Sequence, residues 1–350
     1  MIKVGVSGHF CFRKELFNGQ TIKTKMIADE LEKHLGKESI IRIDTHGGLI
    51  SLPRIIVQLI KVFIQSEIVI MLPAHNGIKI FAPLFVAFGK ILRKKILYVV
   101  IGGWLPKMTK QKKVLSYLLK KFDGIYVEIY SMKITLEKQG FKNIFVMPNF
   151  KNLQILTEKE LVYTTKKPFP FCLFSRVMKE KGIEDAIEAI TKLNNNVGYT
   201  LATLDIYGNI DDNYKTRFEQ IQRNFPKYIQ YKGIVSPTES VNVLKKHFIL
   251  LFPTYYSGEG FAGTLIDAMS AGIPVIASNW KYNKEIVIEG KTGILIRSTL
   301  IYEIKYAIDH FIYFNEMKCF CLCEAKKYIP QNAITPMIEF ITNKKKNLSI

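Results

Sequence analysis

At 350 residues, with 48% hydrophobic and 23% charged positions, the chain is too long for one comfortable core and too apolar to be disordered, so two folded domains are expected. Five cysteines exclude a disulfide framework, and their odd number fits a reducing compartment. Fifty Lys and Arg against thirty Asp and Glu leave a net charge of +20, with twenty-six of the bases and twelve of the acids in residues 1–165. Nucleic acid, an anionic membrane surface, an anionic substrate or simply a basic proteome would each account for that excess.

The chain opens on Met1-Ile2-Lys3-Val4-Gly5-Val6, which reads as a strand and not as a signal peptide. Lys61, Glu67, Lys79 and Lys90 interrupt the longest apolar stretches, so no membrane span is expected. Strands are predicted at 2–7, 40–44, 68–72, 96–101, 124–127 and 143–147, separated by helical stretches that include 21–35 and 110–121. Residues 151–168 read as an irregular linker. The pattern then restarts: strands at 171–174, 203–207, 229–232, 248–252 and 274–277, helices at 183–193 and 214–225, and helices through 301–345. Alternation of this kind specifies an α/β fold with parallel sheets. The expectation is two Rossmann-like, doubly wound domains facing across a cleft: 1–165, then 166–320, with a C-terminal helix in 321–350. Ligands in such sheets bind at the carboxyl ends of the strands.

The strongest motif lies in residues 257–274. A predicted strand runs into a Gly-rich turn and then a helix from about Ala262, with Leu265, Ile266 and Met269 as its core stripe, Gly272 as its cap and Pro274 beyond. The backbone N–H groups of Phe261, Ala262, Gly263 and Thr264 open a helix N-terminus suited to a diphosphate. Glu259 sits in the turn and Asp267 leans back toward the same end. Acids beside a phosphate suggest hydroxyls to be bound, a ribose and a sugar; taken alone, the pair is more simply a capping Glu and a solvated Asp. A second turn carries Arg176 and Lys181 between a strand and a helix, where the guanidinium would grip phosphate oxygens and the ammonium add a point charge.

Together these segments resemble glycosyltransferase family four, the retaining, nucleotide-sugar-dependent enzymes of the GT-B fold. The resemblance rests on Arg176, Lys181-Gly182, the acid-x7-acid block Glu259-Gly260-Phe261 to Asp267, Tyr231-Lys232-Gly233-Ile234-Val235, Pro274-Val275-Ile276-Ala277-Ser278 and Gly290-Lys291-Thr292-Gly293. It covers nearly all of 170–297. The first half matches more loosely, through Gly8-His9-Phe10, Asn18-Gly19-Gln20-Thr21 and Gly102-Gly103-Trp104, and looks most like transferases of surface and capsular polysaccharide clusters.

The resemblance implies that the C-terminal helix in 321–350 crosses back to the first domain, and it implies roles. Arg176 and Lys181 would hold the donor diphosphate, with Gly260 and the backbone of Phe261, Ala262, Gly263 and Thr264 completing the cradle. Glu259 would contact the transferred sugar, as the catalytic residue. Asp267 would bind the ribose, although the family usually has Glu there. Gly19 would let a first-domain loop approach the phosphates, and Gly233 and Val235 would lie near the base. Many members carry a first-domain His near the sugar; none follows the strand at 96–101, and His9 and His75 are the candidates on the acceptor side. No Asp-x-Asp signature occurs, so neither a metal nor another cofactor is expected. Cys319, Cys321 and Cys323 fall on a predicted helix, which scatters their thiols, and read as buried core cysteines.

The expected substrates are a nucleotide-sugar donor and a saccharide or lipid-linked saccharide acceptor. The apolar helix at 80–92, with Phe81, Phe85 and Phe88, runs into Arg93-Lys94-Lys95, followed by Lys107, Lys110, Lys112 and Lys113 around Trp104. It reads either as a core helix with a solvated basic end or as a dock on an anionic membrane surface, which would place the protein at the cytoplasmic face of a membrane. No nucleic-acid-binding module is recognisable, so nucleic acid is not an expected partner. An epimerase or phosphorylase on the same fold, a basic nucleic-acid-binding protein and an inactive scaffold are the competing readings.

Overall fold

A computed structural model describes residues 2–12, 19–47, 51–73 and 75–342. Asn18, placed by the sequence beside Gly19, and 343–345 of the expected C-terminal helices lie outside them. The chain divides into two compact units, Met1–Lys151 with Pro330–Ile350, and Asn152–Ile329.

The first unit runs β1 (Val4–Gly8), α1 (Gly19–Leu35), β2 (Ile40–Asp44), α2 (Leu52–Gln65), β3 (Ile68–Leu72), α3 (Ile78–Ile91), β4 (Lys95–Val99), α4 (Leu105–Gln111), α5 (Lys113–Leu119), β5 (Gly124–Val127), α6 (Tyr130–Lys138) and β6 (Ile144–Val146). Its six strands are parallel, in the order β2-β1-β3-β4-β5-β6. Strand β3 is buried along its whole length, as the run Ile68-Val69-Ile70-Met71-Leu72 demands of a strand covered on both faces. The single helix expected at 110–121 is two: Pro106 suits a helix start, so α4 begins early, and Lys112 leaves helical geometry at φ −117°, ψ 87°.

The second unit runs β7 (Phe169–Phe174), α7 (Ile183–Val197), β8 (Ala202–Tyr207), α8 (Lys215–Gln222), β9 (Ile229–Gly233), α9 (Ser240–Leu244), β10 (Ile249–Phe252), α10 (Gly263–Ser270), β11 (Val275–Ser278), α11 (Asn283–Ile286), β12 (Gly293–Ile296), α12 (Leu300–Asp309) and α13 (Phe311–Ala325). Its six parallel strands are ordered β12-β11-β10-β7-β8-β9. Strand β12 was not expected; it is four residues long and pairs with one neighbour, so its apolar run is too short to signal by itself.

Two boundaries differ from the expectation. The first falls at 151/152 and not at 165/166, because the irregular segment is strapped to the second unit. Leu156 N–H bonds the Ser270 carbonyl at 3.0 Å, and the Asn315 amide bonds the Thr164 backbone in both directions, at 2.8 and 3.3 Å. The second falls at 329/330 and not at 320/321. Ile304, Ile308, Phe314 and Met317 of α12 and α13 belong to the second core, and the return begins only with α14 (Pro330–Ala333) and α15 (Thr335–Thr342). There Ala333, Ile334, Met337 and Ile341 close the first core beside Ile27 and Leu31 of α1. Helical periodicity shows that such segments need a partner, not which sheet supplies it.

Candidate functional site

In the second sheet the chain winds from β7 to β8 and β9 in one direction, then to β10, β11 and β12 in the other. The strand order therefore reverses between β7 and β10, and a crevice opens at the carboxyl ends of these two strands. The loop after β7 carries Arg176 and Lys181, and the loop after β10 carries Glu259. Two sequence-predicted groups 78 residues apart are thus neighbours: Lys181 Nζ lies 2.5 Å from Glu259 Oε2. Their side chains are 12% and 8% exposed, so this is a largely desolvated ion pair.

Several contacts fix the pair. Gly182 takes φ 72°, and a Cβ there would stand 2.5 Å from the Pro253 carbonyl oxygen, so only glycine lets the turn after β7 lie against the end of β10. The Thr254 hydroxyl is 2.9 Å from Glu259 Oε2 and accepts the Tyr256 N–H at 3.2 Å. The Lys181 ammonium also lies 5.4 and 5.3 Å from the ring centroids of Phe252 and Tyr256, whose faces attract a cation removed from water. Thr264, in the first turn of α10, donates its hydroxyl to the Phe174 carbonyl at 2.6 Å. That bond pins the N-terminus of α10 to the last residue of β7. The first turn of α10 contains no acid, as a helix end meant for an anion requires.

The other predicted residues sit differently. Arg176 is half exposed and its Nη1 lies 3.5 Å from Asp211 Oδ2, so it stands at the rim while Lys181 is inside. Gly260 and Phe261 are buried, and Ala262, Gly263 and Thr264 half-buried. Asp267 is fully buried, and its Oδ1 accepts the Ser240 hydroxyl at 2.8 Å. As it stands it ties α9 to α10 and is not a solvated helical carboxylate. Gly233 ends β9 at φ 80° with its Cβ position open, and Val235 follows half-buried. Of the three helical cysteines only Cys321 is buried; Cys319 is partly exposed and Cys323 exposed, which corrects the reading of all three as core residues.

In the first unit, β1 and β3 flank the corresponding reversal. His9 follows β1, with Nδ1 2.7 Å from the Thr21 hydroxyl and Nε2 2.6 Å from Nδ1 of His46, which follows β2. Burial, then His46, lowers the His9 pKa against an opposing pull from Asp44. The Asp44 carboxylate receives N–H bonds from Phe10, Phe12 and His46 at 3.0, 3.3 and 3.0 Å. Burial pushes its pKa up, but these backbone donors outweigh burial and leave it below the ordinary value. His75 follows β3, exposed, its ring edge-on to Trp104 after β4 with centroids 5.1 Å apart. Gly19 opens α1, and among the described residues nothing lies within 4 Å of its Cβ position. A buried pair, Lys23 of α1 with Glu128 after β5, completes this edge. Sequence reading missed Thr254, Ser240, His46 and this pair; Thr254 and His46 each stand two residues past a strand end, the position that would have found them.

Two six-stranded parallel sheets with this winding define the GT-B fold, and comparison with solved structures bears this out. Anabaena HepE in complex with UDP-glucose superposes with a TM-score of 0.74 at 14% identity, over 98% of this chain and 100% of that one. Residues 157–318, which lie within the second unit, match the family model described as glycosyl transferases group 1. An uncharacterized glycosyltransferase of Methanocaldococcus jannaschii is 24% identical over 261 residues, 69% of this chain and 64% of its own length. The GtfA subunit of the UDP-N-acetylglucosamine–peptide N-acetylglucosaminyltransferase of Streptococcus pneumoniae is 30% identical over 135 residues, 38% of this chain and 25% of its own length. The chain thus spans under two thirds of either curated relative.

Proposed function

We propose that the chain is a glycosyltransferase of family-four type that moves a sugar, with retention and without a metal, from a nucleoside-diphosphate sugar to a saccharide or lipid-linked saccharide acceptor in surface polysaccharide synthesis. The observation that carries this reading is the desolvated Lys181–Glu259 pair at the β7/β10 crevice, beside the acid-free N-terminus of α10. Uridine diphosphate is the proposed leaving group, since the names of HepE's complex and of GtfA both carry UDP.

When the bond from the anomeric carbon to the diphosphate oxygen breaks, negative charge grows on the diphosphate and positive charge on the sugar. Lys181 has three N–H donors, and its pairing with Glu259 leaves others for phosphate oxygens. Arg176 at the rim and the N–H groups of 262–264 add fixed positive potential on the same side. Glu259 receives the sugar hydroxyls. The acceptor oxygen bonds to the anomeric carbon as its proton passes to the departing diphosphate, so no separate base is needed on that face. Asp267, fully buried, would accept a ribose hydroxyl only if the packing over it opened. His9 and His75 stay with the acceptor, and Gly233 and Val235 with the base.

The test is thermal shift with UDP, GDP, ADP and their sugar conjugates, because a ligand selective for the folded state raises the melting temperature by mass action. The expected result is a rise with the uridine series, lost in Arg176→Ala and retained when metal is chelated. No shift with any nucleotide overturns the reading. Consumption of a nucleotide sugar without an acceptor would point instead to an epimerase.

A further inference from the structure

Between Ser51 and Phe122 the sequence holds thirteen Lys or Arg and a single acid, Glu67. The helices of this stretch pack side by side, α2 on α3, α3 on α5 and α5 on α4. The core explanation is correct for α3: Phe81 and Phe85 are buried, and Phe63 of α2 lies edge-on to Phe85 and Phe88 at 5.2 and 5.6 Å. The apolar residues left in water are others. On α2, Val57, Ile60 and Ile64 recur at helical spacing on the face away from buried Ile55, Leu59, Val62 and Phe63. Ile91 at the end of α3 is 73% exposed, and Val114 of α5 is 76% exposed, one turn before exposed Tyr117. Helix α2 is thus apolar on two faces, and only one of them is used inside the unit.

Beside Val114 and Tyr117 lies a cleft of about 290 Å³ whose lining includes Lys110, Lys113 and Lys120 with Ser116 and Tyr117, and no acid. The Lys120 ammonium is positioned from behind, donating to the Gln139 carbonyl at 2.7 Å and lying 5.2 Å from the Phe141 ring centroid. Lys121 sits 4.8 Å over the Tyr117 ring. The Lys94 ammonium reaches the Ile64 carbonyl at 3.4 Å, which sets the basic turn after α3 against the exposed end of α2.

We infer that the α2–α3–α5 face docks on an anionic lipid bilayer, with the Lys110–Lys113–Lys120 cleft seating one headgroup phosphate and Val57, Ile60, Ile64, Ile91 and Val114 entering the acyl boundary. Exposed aliphatics fringed by cations suit an interface that is apolar below and anionic above. Charge decides the occupant: a second copy of this chain docked on the same face would set Lys110, Lys113 and Lys120 against their own kind, whereas phospholipid phosphates neutralise them. Among the described residues no helix is long and apolar enough to cross a membrane. The inference stands whether or not the chain transfers sugar.

Flotation of the whole chain with vesicles of phosphatidylcholine, alone or mixed with phosphatidylglycerol, tests it. The expected result is flotation with the mixture only. A lysine close to such a surface contributes roughly fivefold to partitioning, so K110E/K113E/K120E should weaken binding by at least about a hundredfold, the three lost attractions alone, with the repulsion of three glutamates added. V57S/I64S/V114S should weaken it as well, at nearly unchanged melting temperature, since all three side chains are more than half exposed. The matched charge change in the second unit, K215E/K227E/K305E, should leave it nearly intact. Equal losses in both lysine triples, equal flotation without phosphatidylglycerol, or no flotation at all would overturn the inference. So would binding of soluble glycerol phosphate without any binding of vesicles. The nucleotide shift, measured on the same triples, reads the donor site separately: flotation with no shift fails the transferase reading alone, and a shift with no flotation fails this one alone.

Discussion

At the carboxyl edge of the second sheet, opposite charges are buried against each other and locked by a threonine, two aromatic rings and a glycine that nothing else can replace. At the carboxyl edge of the first, the histidines after β1, β2 and β3 and a tryptophan after β4 are partly open. One winding rule builds both edges, yet they are furnished for different partners. A diphosphate has one shape and a fixed charge, so its site repays rigid preorganised cations. An acceptor varies, and loops tolerate that variation.

The sharpest way to break this contrast is at Lys181. Lys181→Met leaves Glu259 buried without its partner, which should cost the second unit about 3–5 kcal/mol in denaturant unfolding and abolish the nucleotide shift. Lys181→Met/Glu259→Gln should recover part of the stability and none of the nucleotide binding. Full additivity in that cycle would mean the two groups are independent and the crevice is not a unit. Next in size is Gly182→Ala, which forces a side chain to φ 72° against Pro253 O. About 1–3 kcal/mol of destabilisation is expected, with a fall in nucleotide affinity because the Lys181 turn must shift. An unchanged melting curve would show that the turn is not held as described.

The smallest effect belongs to the first edge. Burial, then His46, holds the His9 pKa below 6.5, so the unfolded chain takes up that proton before the folded one does. Stability is therefore complete above pH 6.5, declines as the pH falls toward the folded value, and then levels off. His9→Gln should flatten this part of the stability profile and leave untouched the acid limb below 3.8, where Asp44 loses its backbone-stabilised charge. A variant profile that parallels the native one would remove His9 as its origin.

The strands were the most legible part of the fold. Runs such as residues 68–72 and 124–127 match the structure at both ends, because a strand covered on both faces must be apolar throughout. The Lys181 and Glu259 loops were legible because each stands directly after a strand. Their mutual contact was not, since it follows from β10 lying beside β7, a pairing between residues far apart in the chain. Asp267 was misjudged in its surroundings for a related reason: its helix position was read correctly, but Ser240 comes from a neighbouring helix that no local pattern announces. The strap at 152–165 escaped notice because its bonds run to Ser270 and Asn315 while its own residues show no periodicity. Lys112, where one expected helix becomes two, has no explanation in its side chain.

The return of α14 and α15 sets an order of events during synthesis. The first sheet leaves the ribosome complete in its strands but short of Ala333, Ile334, Met337 and Ile341, and the whole second unit is made before these residues appear. Domains made first usually fold first. Here the earlier unit must wait with part of its core uncovered while the later one folds, so a chain released at Ile329 would hold a finished second unit and an unfinished first.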